Sequence, residues 1–439
     1  MKIVRSLLII SMLIVVAFAA HSGGGREEGP VTIRFMSTEA DLPGDFVTEF
    51  NRENPDINLV RVEEDWTKWM ADAMAGDAPD LSRMGSGTDI AYYVNRGLLY
   101  DMTDKLRNSE VVRWDDIDVM GSSTYQYDGE VIGQGSYYGL PKDYNNVGMI
   151  TYNREMFRAA GLEDLSVTDP ITYEELYEMA QKLTVRDGDG NVVVFGYDYA
   201  PGWVKHLVSD MANAKGISIY NRDGSAMNED PEARELWKYW ARFQVEDISS
   251  NVRNPSPGWT GAAFQADRVA MVQLGYWYGA QLMENENYET KYGWAPTPIY
   301  AEGYPRVASN LGATGIVMFS GTRHPEEAFR VFEWYMGGSY GIERARTGWG
   351  IPPLMSLAPL LPADNEYNRT RKAIAYDDAQ YFQPWQASTY ITAAMYDYAW
   401  ESNIDDLVLG NIDYDTFVDR MYAELNAALR RGREEIGAQ

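Results

Sequence analysis

The first part of the chain alternates short β-rich runs with helical patterns, and this alternation restricts the fold more than any other feature. Residues 31–36 form a β-rich run, and a helical pattern with Phe46 and Phe50 on one face follows it. A second run at 57–62 precedes an amphipathic stretch at 66–75, and a third short strand comes next. Strands that alternate with helices pair in parallel, because each helix carries the chain back to the start of the sheet. The sequence therefore predicts an α/β fold with a mainly parallel sheet.

Length and composition limit the number of domains and the classes of chemistry. With 439 residues, the chain is long enough for two large domains. It contains no cysteine, which excludes disulfides, thiolate metal sites and a cysteine nucleophile. Its net charge of -27 disfavours binding to nucleic acid or anionic lipid. The 31 tyrosines and 13 tryptophans, against 13 phenylalanines, favour sites where a flat apolar ring meets water.

The N-terminus has the features of a secretory signal peptide over residues 1–19. Lys2 and Arg5 precede the apolar stretch 7–16, and Ala17-Phe18-Ala19 provides the small residues of a cleavage site. The apolar stretch is short for a membrane span. The sequence therefore predicts an exported chain, located in the periplasm or at the outer face of the cytoplasmic membrane.

Residues 20–30 are glycine-rich and are predicted to form a flexible linker. The pattern from Phe18 to Gly25 resembles a bacterial lipoprotein signal with its tether, but His21 stands where the lipidated cysteine would be. Lipidation through a thioether requires sulfur, so a lipid anchor is not possible in the chain as written. Two interpretations stay open: a plain exported protein, or a lipoprotein whose cysteine has been replaced.

Four groups of residues share the order and spacing of a known family. They are the opening strand with Phe46–Asn51 and Asn54–Ile57, Tyr138–Pro141 with Met149–Asn153 and Ala160–Leu162, Val269–Val272 with Gly275–Trp277, and His324–Ala328 with Gly348–Pro352. Over residues 31–435 this arrangement resembles the extracellular solute-binding proteins of bacterial ABC importers. Within that group, it is similar to the carbohydrate-binding family that includes maltose-binding protein.

The resemblance implies two interleaved α/β lobes joined by a hinge, as in periplasmic binding proteins of type II. Lobe one would comprise residues 31–144 plus 308–338. Lobe two would comprise residues 145–307 plus 339–439, including the C-terminal helices.

The resemblance also implies a function and a set of partners. A small-molecule carbohydrate, with an oligosaccharide favoured, would bind in the cleft between the lobes. Hinge closure would then allow delivery to the membrane permease subunits of an ABC importer. Neither catalysis, a cofactor nor a nucleic-acid partner is implied, and the chain is expected to be a monomer.

Carbohydrate recognition requires two kinds of side chain. Aromatic rings stack on the apolar faces of sugars, and fixed polar groups bind the hydroxyls. The aromatic candidates, which lie beside turns or near the starts of helices, are Trp66, Trp203, Trp259, Trp277, Trp349 and Trp385. Among them Trp277 is the leading candidate, because it follows Gly275 at the place where the family has a cleft tryptophan. The polar candidates, which follow predicted strands or lie at the presumed hinge, are Glu39, Glu64, Ser86, Asp143, Asn145 and Asn310.

Other functions have weaker support in the sequence. No Gly-x-x-x-x-Gly-Lys-Ser/Thr motif occurs, so nucleotide hydrolysis would belong to a partner subunit. Histidine occurs only at positions 21, 206 and 324, and no metal site is predicted. Two alternatives stay open: the same fold could bind a peptide, polyol or polyamine, or the chain could be a secreted glycoside hydrolase with a pair of carboxylates.

Overall fold

The computed structural model describes residues 29–85, 87–311 and 314–437. The predicted signal peptide, residues 1–19, and all but the last two residues of the predicted linker, residues 20–30, therefore lie outside the described residues. The described part of the chain mixes helices and strands, as the α/β prediction requires.

The strands of the described residues are mostly short. In chain order they are β1 Val31–Met36, β2 Ile57–Val62, β3 Leu81–Met84, β4 Gln126–Tyr127, β5 Ser136–Tyr137, β6 Gly139–Pro141, β7 Asn145–Asn146, β8 Ile150–Asn153, β9 Val185–Arg186, β10 Val192–Val194, β11 Met271–Gln273, β12 Tyr292–Ala295, β13 Ala308–Leu311, β14 Gly315–Met318 and β15 Phe382–Gln383.

The helices follow local start signals in the sequence. Thr172 and Glu175 form a reciprocal capping box, and Asp230 caps a helix that has Pro231 in its first turn. In chain order the helices are α1 Gly44–Glu53, α2 Trp66–Met74, α3 Ile90–Val94, α4 Thr103–Asn108, α5 Val119–Ser122, α6 Arg154–Ala159, α7 Tyr173–Leu183, α8 Val204–Lys215, α9 Pro231–Val245, α10 Thr260–Gln265, α11 Tyr278–Leu282, α12 Tyr288–Lys291, α13 Pro325–Met336, α14 Ser339–Thr347, α15 Glu366–Ala379, α16 Ala393–Val408 and α17 Tyr414–Glu435.

Lobe one is built on a five-stranded sheet with the order β2-β1-β3-β14-β6. Strands β1, β2 and β3 are parallel, and β14 runs antiparallel to both of its neighbours. Successive side chains of β1 alternate between faces, so Phe35 enters the core on one side and Met36 the core on the other. The carboxyl ends of β1, β2, β3 and β6 consequently meet at one edge, together with the start of β14.

Lobe two is built on a three-stranded antiparallel sheet with the order β11-β8-β12. Tyr152 enters the larger core, where residues of α7, α8, α9, α16 and α17 pack, whereas Val272 enters the core on the opposite face. The last helix also contacts lobe one, since Glu435 forms an ion pair with Arg96 at 2.5 Å.

A third sheet, with the order β15-β13-β7, lies where the chain passes between the lobes. Strands β7 and β13 are the first two crossings, and they pair antiparallel with Asn310 opposite Asn146. The third crossing lies between Leu357, in the core of lobe one, and Leu361, in a core of lobe two.

The core contacts differ from the predicted lobe boundaries chiefly in residues 339–357. At the crossings, Tyr144, Ala308 and Ile351 pack in a core of lobe two. The sequence assigns residues 339–439 to lobe two, but Tyr340 and Leu357 pack in the core of lobe one. The Tyr340 ring contacts Phe46, and its hydroxyl donates to the carbonyl of Asp41 at 2.8 Å. The hydrophobic pattern of a helix does not show which of two cores it covers. We propose that lobe one extends to residue 357.

A buried carboxylate holds the hinge segments together. Asp378, on α15, is fully buried, and its Oδ2 accepts hydrogen bonds from the Asn146 side-chain amide at 2.6 Å and the Thr297 hydroxyl at 2.8 Å. The Thr297 backbone N–H donates to the same oxygen at 3.1 Å. Its other oxygen forms an ion pair with Arg306 at 2.5 Å. Strand β7, the segment that enters β13, and α15 thus meet at one charged group.

Replacing Asp378 with alanine should lower the free energy of unfolding by about 3–5 kcal/mol. Arg306 then keeps only the half-exposed Asp377 as a carboxylate partner, and the buried donors of Asn146 and Thr297 lose their acceptor. Denaturant unfolding measures this loss. Asp406 gives a matched control, since it pairs with Arg420 at 2.9 Å on the surface. Asp406→Ala should leave the unfolding midpoint unchanged. Equal midpoints for Asp378→Ala and the unmodified chain would show that the hinge does not depend on this carboxylate.

A second buried carboxylate lies in lobe two. Asp198 is 1% exposed and accepts hydrogen bonds from the hydroxyls of Ser250 at 3.0 Å and Thr260 at 3.3 Å. Burial raises the pKa of Asp198 to about 7 from its ordinary value of 3.8, although these hydrogen bonds act in the opposite direction. Between these two pH values, the Asp198 carboxyl of the folded chain therefore stays protonated, whereas that of the unfolded chain is ionised.

This difference makes stability depend on pH. Between its unfolded pKa of 3.8 and its folded pKa of about 7, stability falls as pH rises, because only the unfolded state ionises freely. Asp198→Asn cannot ionise, so it should match the unmodified chain near ~pH 4 and exceed it near ~pH 8 by up to about 4 kcal/mol. Thermal unfolding of both chains over this range tests the prediction, and a difference that does not change with pH contradicts it.

Candidate functional site

A cavity of about 380 Å³ lies between the lobes, at the strand ends of lobe one. Thr38 and Asp41 follow β1, Arg83 lies in β3, Lys142 follows β6, and Thr314 precedes β14. Ligands of open α/β sheets bind at the carboxyl ends of strands, and this edge has that geometry. The opposite wall comes from the hinge and lobe two, through Asp143, Asn145, Val147, Trp203 and Trp277, and from Trp349, which follows α14.

Trp277 is the centre of a cluster of aromatic rings. Its ring centroid lies 5.7 Å from that of Trp349 and 6.5 Å from that of Trp203. Trp259 stacks on it with centroids 6.0 Å apart and an interplanar angle of 17°. Trp203, Trp277 and Trp349 are half-buried, so each exposes part of an apolar face to the cavity. Such a surface suits a flat, partly apolar ligand.

The backbone places Trp277 against the hinge. Gly275 has a φ of 80°, a left-handed conformation that favours glycine, and an added Cβ would lie 3.2 Å from the Asn145 side chain. Asn145 Oδ1 accepts a hydrogen bond from the Trp277 backbone N–H at 2.8 Å. A side chain of β7 therefore fixes the position of the central ring.

A network of paired charges forms the polar wall. Arg83 contacts Asp41 and forms an ion pair with Glu64 at 2.8 Å. Lys142 lies 3.1 Å from Asp41 and 2.5 Å from Asp143. Burial acts to raise the pKa of Asp41, but the charges of Lys142 and Arg83 outweigh it and lower the pKa to about 2. Burial raises the pKa of Asp143 in spite of Lys142.

A second cavity, of about 320 Å³, adjoins the first and shares Gly85 and Trp203 with it. Glu64 and Trp66, which follow β2, form one wall. From lobe two, Lys205 and Asp397 form an ion pair of 2.6 Å on the other wall.

The second cavity also contains a direct contact between the lobes. Asp89 of lobe one accepts a hydrogen bond from the backbone N–H of Ala393, the first residue of α16, at 2.8 Å. His206 lies on the lobe-two side of this cavity, next to Lys205. Burial together with the charge of Lys205 lowers the pKa of His206, so its imidazole is neutral at physiological pH.

The structure brings most of the predicted site residues together. Those that line the two cavities are Glu64, Trp66, Asp143, Asn145, Trp203, Trp277 and Trp349. Trp259 stacks on Trp277 but faces a different cavity. Asn310 lies in β13. Ser86 lies outside the described residues.

Two predicted residues lie elsewhere, each for a clear reason. Glu39 is exposed, where it pairs with Arg61 at 2.5 Å and accepts a hydrogen bond from the Gly44 N–H at the start of α1. Asp41, two residues further, lines the cavity instead. Trp385 is 6% exposed and packs in lobe two against His206, with ring centroids 5.0 Å apart.

The sequence prediction missed the charged residues Asp41, Arg83, Lys142, Lys205 and Asp397. Arg83 and Lys142 carried the clearest signal, because each lies in or directly after a strand of the sheet that ends at the cleft. Their partners are far away in sequence, so no spacing rule could have identified the pairs.

A cavity of about 670 Å³ lies on lobe two beside α7 and α9. Lys238 pairs there with Glu235, and Arg242 with Glu174. All of its lining residues belong to lobe two, so hinge motion would not open or close it. The cleft is therefore the better candidate.

Within the described residues no metal-binding group of three or more His, Asp or Glu side chains occurs. The part of the chain that the structure describes also lacks a helix with the length and apolar character to cross a membrane.

Comparisons with known proteins show which fold and family the chain shares. An uncharacterized ABC transporter extracellular-binding protein of Pyrococcus horikoshii is 23% identical over 262 residues, which span 58% of this chain and 54% of that relative. The structure of an ABC substrate-binding protein from Listeria monocytogenes aligns with a TM-score of 0.73 and 18% identity, covering 93% of this chain and 99% of that one.

A solute-binding protein of an ABC transporter from Thermotoga lettingae aligns with a TM-score of 0.72 and 20% identity, covering 91% of this chain and 100% of that one. These likenesses confirm the predicted two-lobed fold. A family model described as bacterial extracellular solute-binding protein matches residues 45–375. The chain therefore belongs to the family of bacterial extracellular solute-binding proteins.

Proposed function

We propose that this protein binds a carbohydrate, with an oligosaccharide favoured, in the cleft between its lobes and delivers it to the permease subunits of an ABC importer. The observation that carries the proposal is the position of the Trp203, Trp277 and Trp349 rings opposite a wall of fixed polar groups. Rings of this kind stack on the apolar faces of sugars, and the polar wall binds hydroxyls. Hinge closure would bring the two walls together around the ligand.

The ligands of the two structural neighbours support a carbohydrate. The structure of the Listeria protein is a complex with cycloalternan, and that of the Thermotoga protein has α-D-tagatose bound. The family itself is one of solute-binding proteins, which supports a receptor rather than an enzyme. Export to the outside of the cytoplasmic membrane, where the permease is reached, accords with the predicted signal peptide.

Asp41 is the carboxylate of the cleft that is best suited to accept hydrogen bonds from sugar hydroxyls. Lys142 holds both Asp41 and Asp143, and the pKa of Asp41 is lowered to about 2. Asp41 therefore stays ionised and suits the acceptance of hydroxyl hydrogen bonds.

Residues 26–439 should be titrated with a panel of monosaccharides and linear and cyclic oligosaccharides, while tryptophan fluorescence is followed. We expect a saturable change with the ligand recovered intact. A signal that drifts while the sugar is cleaved would indicate a hydrolase. No response to any sugar, followed by a response to a peptide, polyol or polyamine, would replace carbohydrate as the ligand class.

Trp277→Ala should weaken binding of the sugar found in that panel by at least ~30-fold, because it removes the central stacking ring, and central aromatic anchors contribute about 2 kcal/mol or more. Calorimetric titration measures the affinity. Trp114→Ala is the matched control, since Trp114 is 39% exposed on lobe one and does not line the cleft cavities. Equal losses in the two variants would argue against stacking in the cleft.

The cleft should discriminate against anionic sugars. Among the described residues that line the two cavities, Arg83, Lys142 and Lys205 each lie against a carboxylate, so no lysine or arginine there is left for a ligand anion. We expect a uronate analogue to bind at least ~10-fold more weakly than the neutral sugar of equal length, since like charges in a site cost several kcal/mol.

Asp397→Asn tests the cause of this discrimination. The variant frees Lys205 from its carboxylate partner, so the preference for the neutral sugar should decrease. An unchanged preference, or tight uronate binding to the unmodified chain, would contradict the charge argument.

A further inference from the structure

Besides the cavity beside α7 and α9, lobe two has another of about 440 Å³ next to the cleft, which we call the third cavity. Its walls come from the end of α9 and the segment after it, the loop that leads into α10, and one face of α16, through Asn251, Val252, Trp259, Trp400, Glu401 and Asp405. Its volume lies in the range of small-molecule sites. Neither of the two cleft cavities shares a lining residue with it.

Stacked tryptophans nevertheless connect this cavity to the cleft. Trp259 lines the third cavity, Trp277 lines the cleft, and their rings are nearly parallel with centroids 6.0 Å apart. Trp277 in turn contacts Trp349. A row of three rings therefore leads from the hinge to the outer cavity.

The position of the outer ring is fixed although the ring is exposed. Trp259 is 45% exposed although its ring stacks on Trp277 and contacts Tyr278. Its ring lies directly over Gly261, where an added Cβ would come within 2.1 Å of it. Gly258, just before it, has a φ of 122°, which favours glycine. The backbone thus presents an apolar face at the edge of the cavity.

The cavity wall also carries hydrogen-bonding side chains. Asn251, Glu401 and Asp405 line it. The Trp400 indole N–H and the Ser256 hydroxyl, of two further lining residues, are buried and have no hydrogen-bond partner among the described residues. An exposed flat ring and polar side chains in one cavity are the combination that sugar recognition requires.

We propose that the third cavity is an outer compartment that binds the end of an oligosaccharide too long for the cleft alone. The inference rests on the proposed carbohydrate function and adds a length preference to it. One end of the ligand lies against Trp277 in the cleft, and the chain continues over Trp259. The affinity of the protein consequently increases with the length of the oligosaccharide.

The test uses maltooligosaccharides and mannooligosaccharides of increasing length with the unmodified protein, Trp259→Ala and Trp259→Phe. We expect affinity to rise with length in the unmodified protein. Trp259→Ala should weaken the longest ligand that binds by at least ~10-fold and leave the shortest within ~2-fold, and Trp259→Phe should restore part of the loss. Trp114→Ala should change neither affinity.

Other results would overturn the inference in recognisable ways. An equal loss for short and long ligands would mean that Trp259 only supports Trp277. Affinity that does not depend on length would also reject the outer compartment, while leaving the carbohydrate function intact. The absence of binding to every sugar, by contrast, would reject the proposed function itself.

A substitution in another wall of the third cavity provides a second test. Val252 is 43% exposed and lines the cavity, so Val252→Trp should fill the space without altering Trp277. Its expected effect is the loss of the advantage of long ligands, with unchanged affinity for short ones. Full retention of the length dependence in Val252→Trp would show that the ligand does not enter this cavity.

Discussion

The carboxylate of Asp378 is the interaction on which the arrangement of the lobes depends. A buried charge costs several kcal/mol unless it is paired and its remaining lone pairs are satisfied. Arg306 provides the pairing, and Asn146 and Thr297 supply the hydrogen bonds. Because the chain has no cysteine, disulfides cannot hold the crossing segments. The contacts of the Asp378 carboxylate hold these segments together instead. The strands that pass between the lobes can therefore be very short.

The same edge of lobe one that receives the hinge also forms the polar side of the cleft. Four strands end there, and their charged residues pair with one another across loops rather than with solvent. The paired charges are held in place before any ligand arrives, so binding need not order them. Under the proposed function, this arrangement provides acceptors and donors for hydroxyls without attracting a charged ligand.

Much of this organisation could be predicted from the sequence. The order of strands and helices follows from local patterns, and Trp203, Trp277 and Trp349 were identifiable because each stands beside a turn. The loop after β1 was also recognised, but spacing could not distinguish Glu39 from Asp41. That choice depends on Arg61 and Arg83, which approach the loop from two different strands.

At two further places the structure differs from the sequence prediction because of contacts between residues that are far apart in the chain. Trp385 follows a proline and so resembles a residue in a turn, but α8 and α16 cover it. The sequence pattern of α14 does not show which lobe it covers, and its contact with Phe46 supports our proposal that it belongs to lobe one. Local sequence determines the elements, whereas the choice between two available cores depends on long-range packing.

The hydrogen bond between Asn145 and the Trp277 backbone has a consequence for the energetics of the whole molecule. Asn145 belongs to the strand about which the lobes would rotate, so this hydrogen bond links the segment that carries the central indole to the hinge. A ligand that stacks on the indole shifts the equilibrium between lobe angles by the difference in its affinity for them. By the same coupling, a change that favours one lobe angle alters the affinity of the stacking surface.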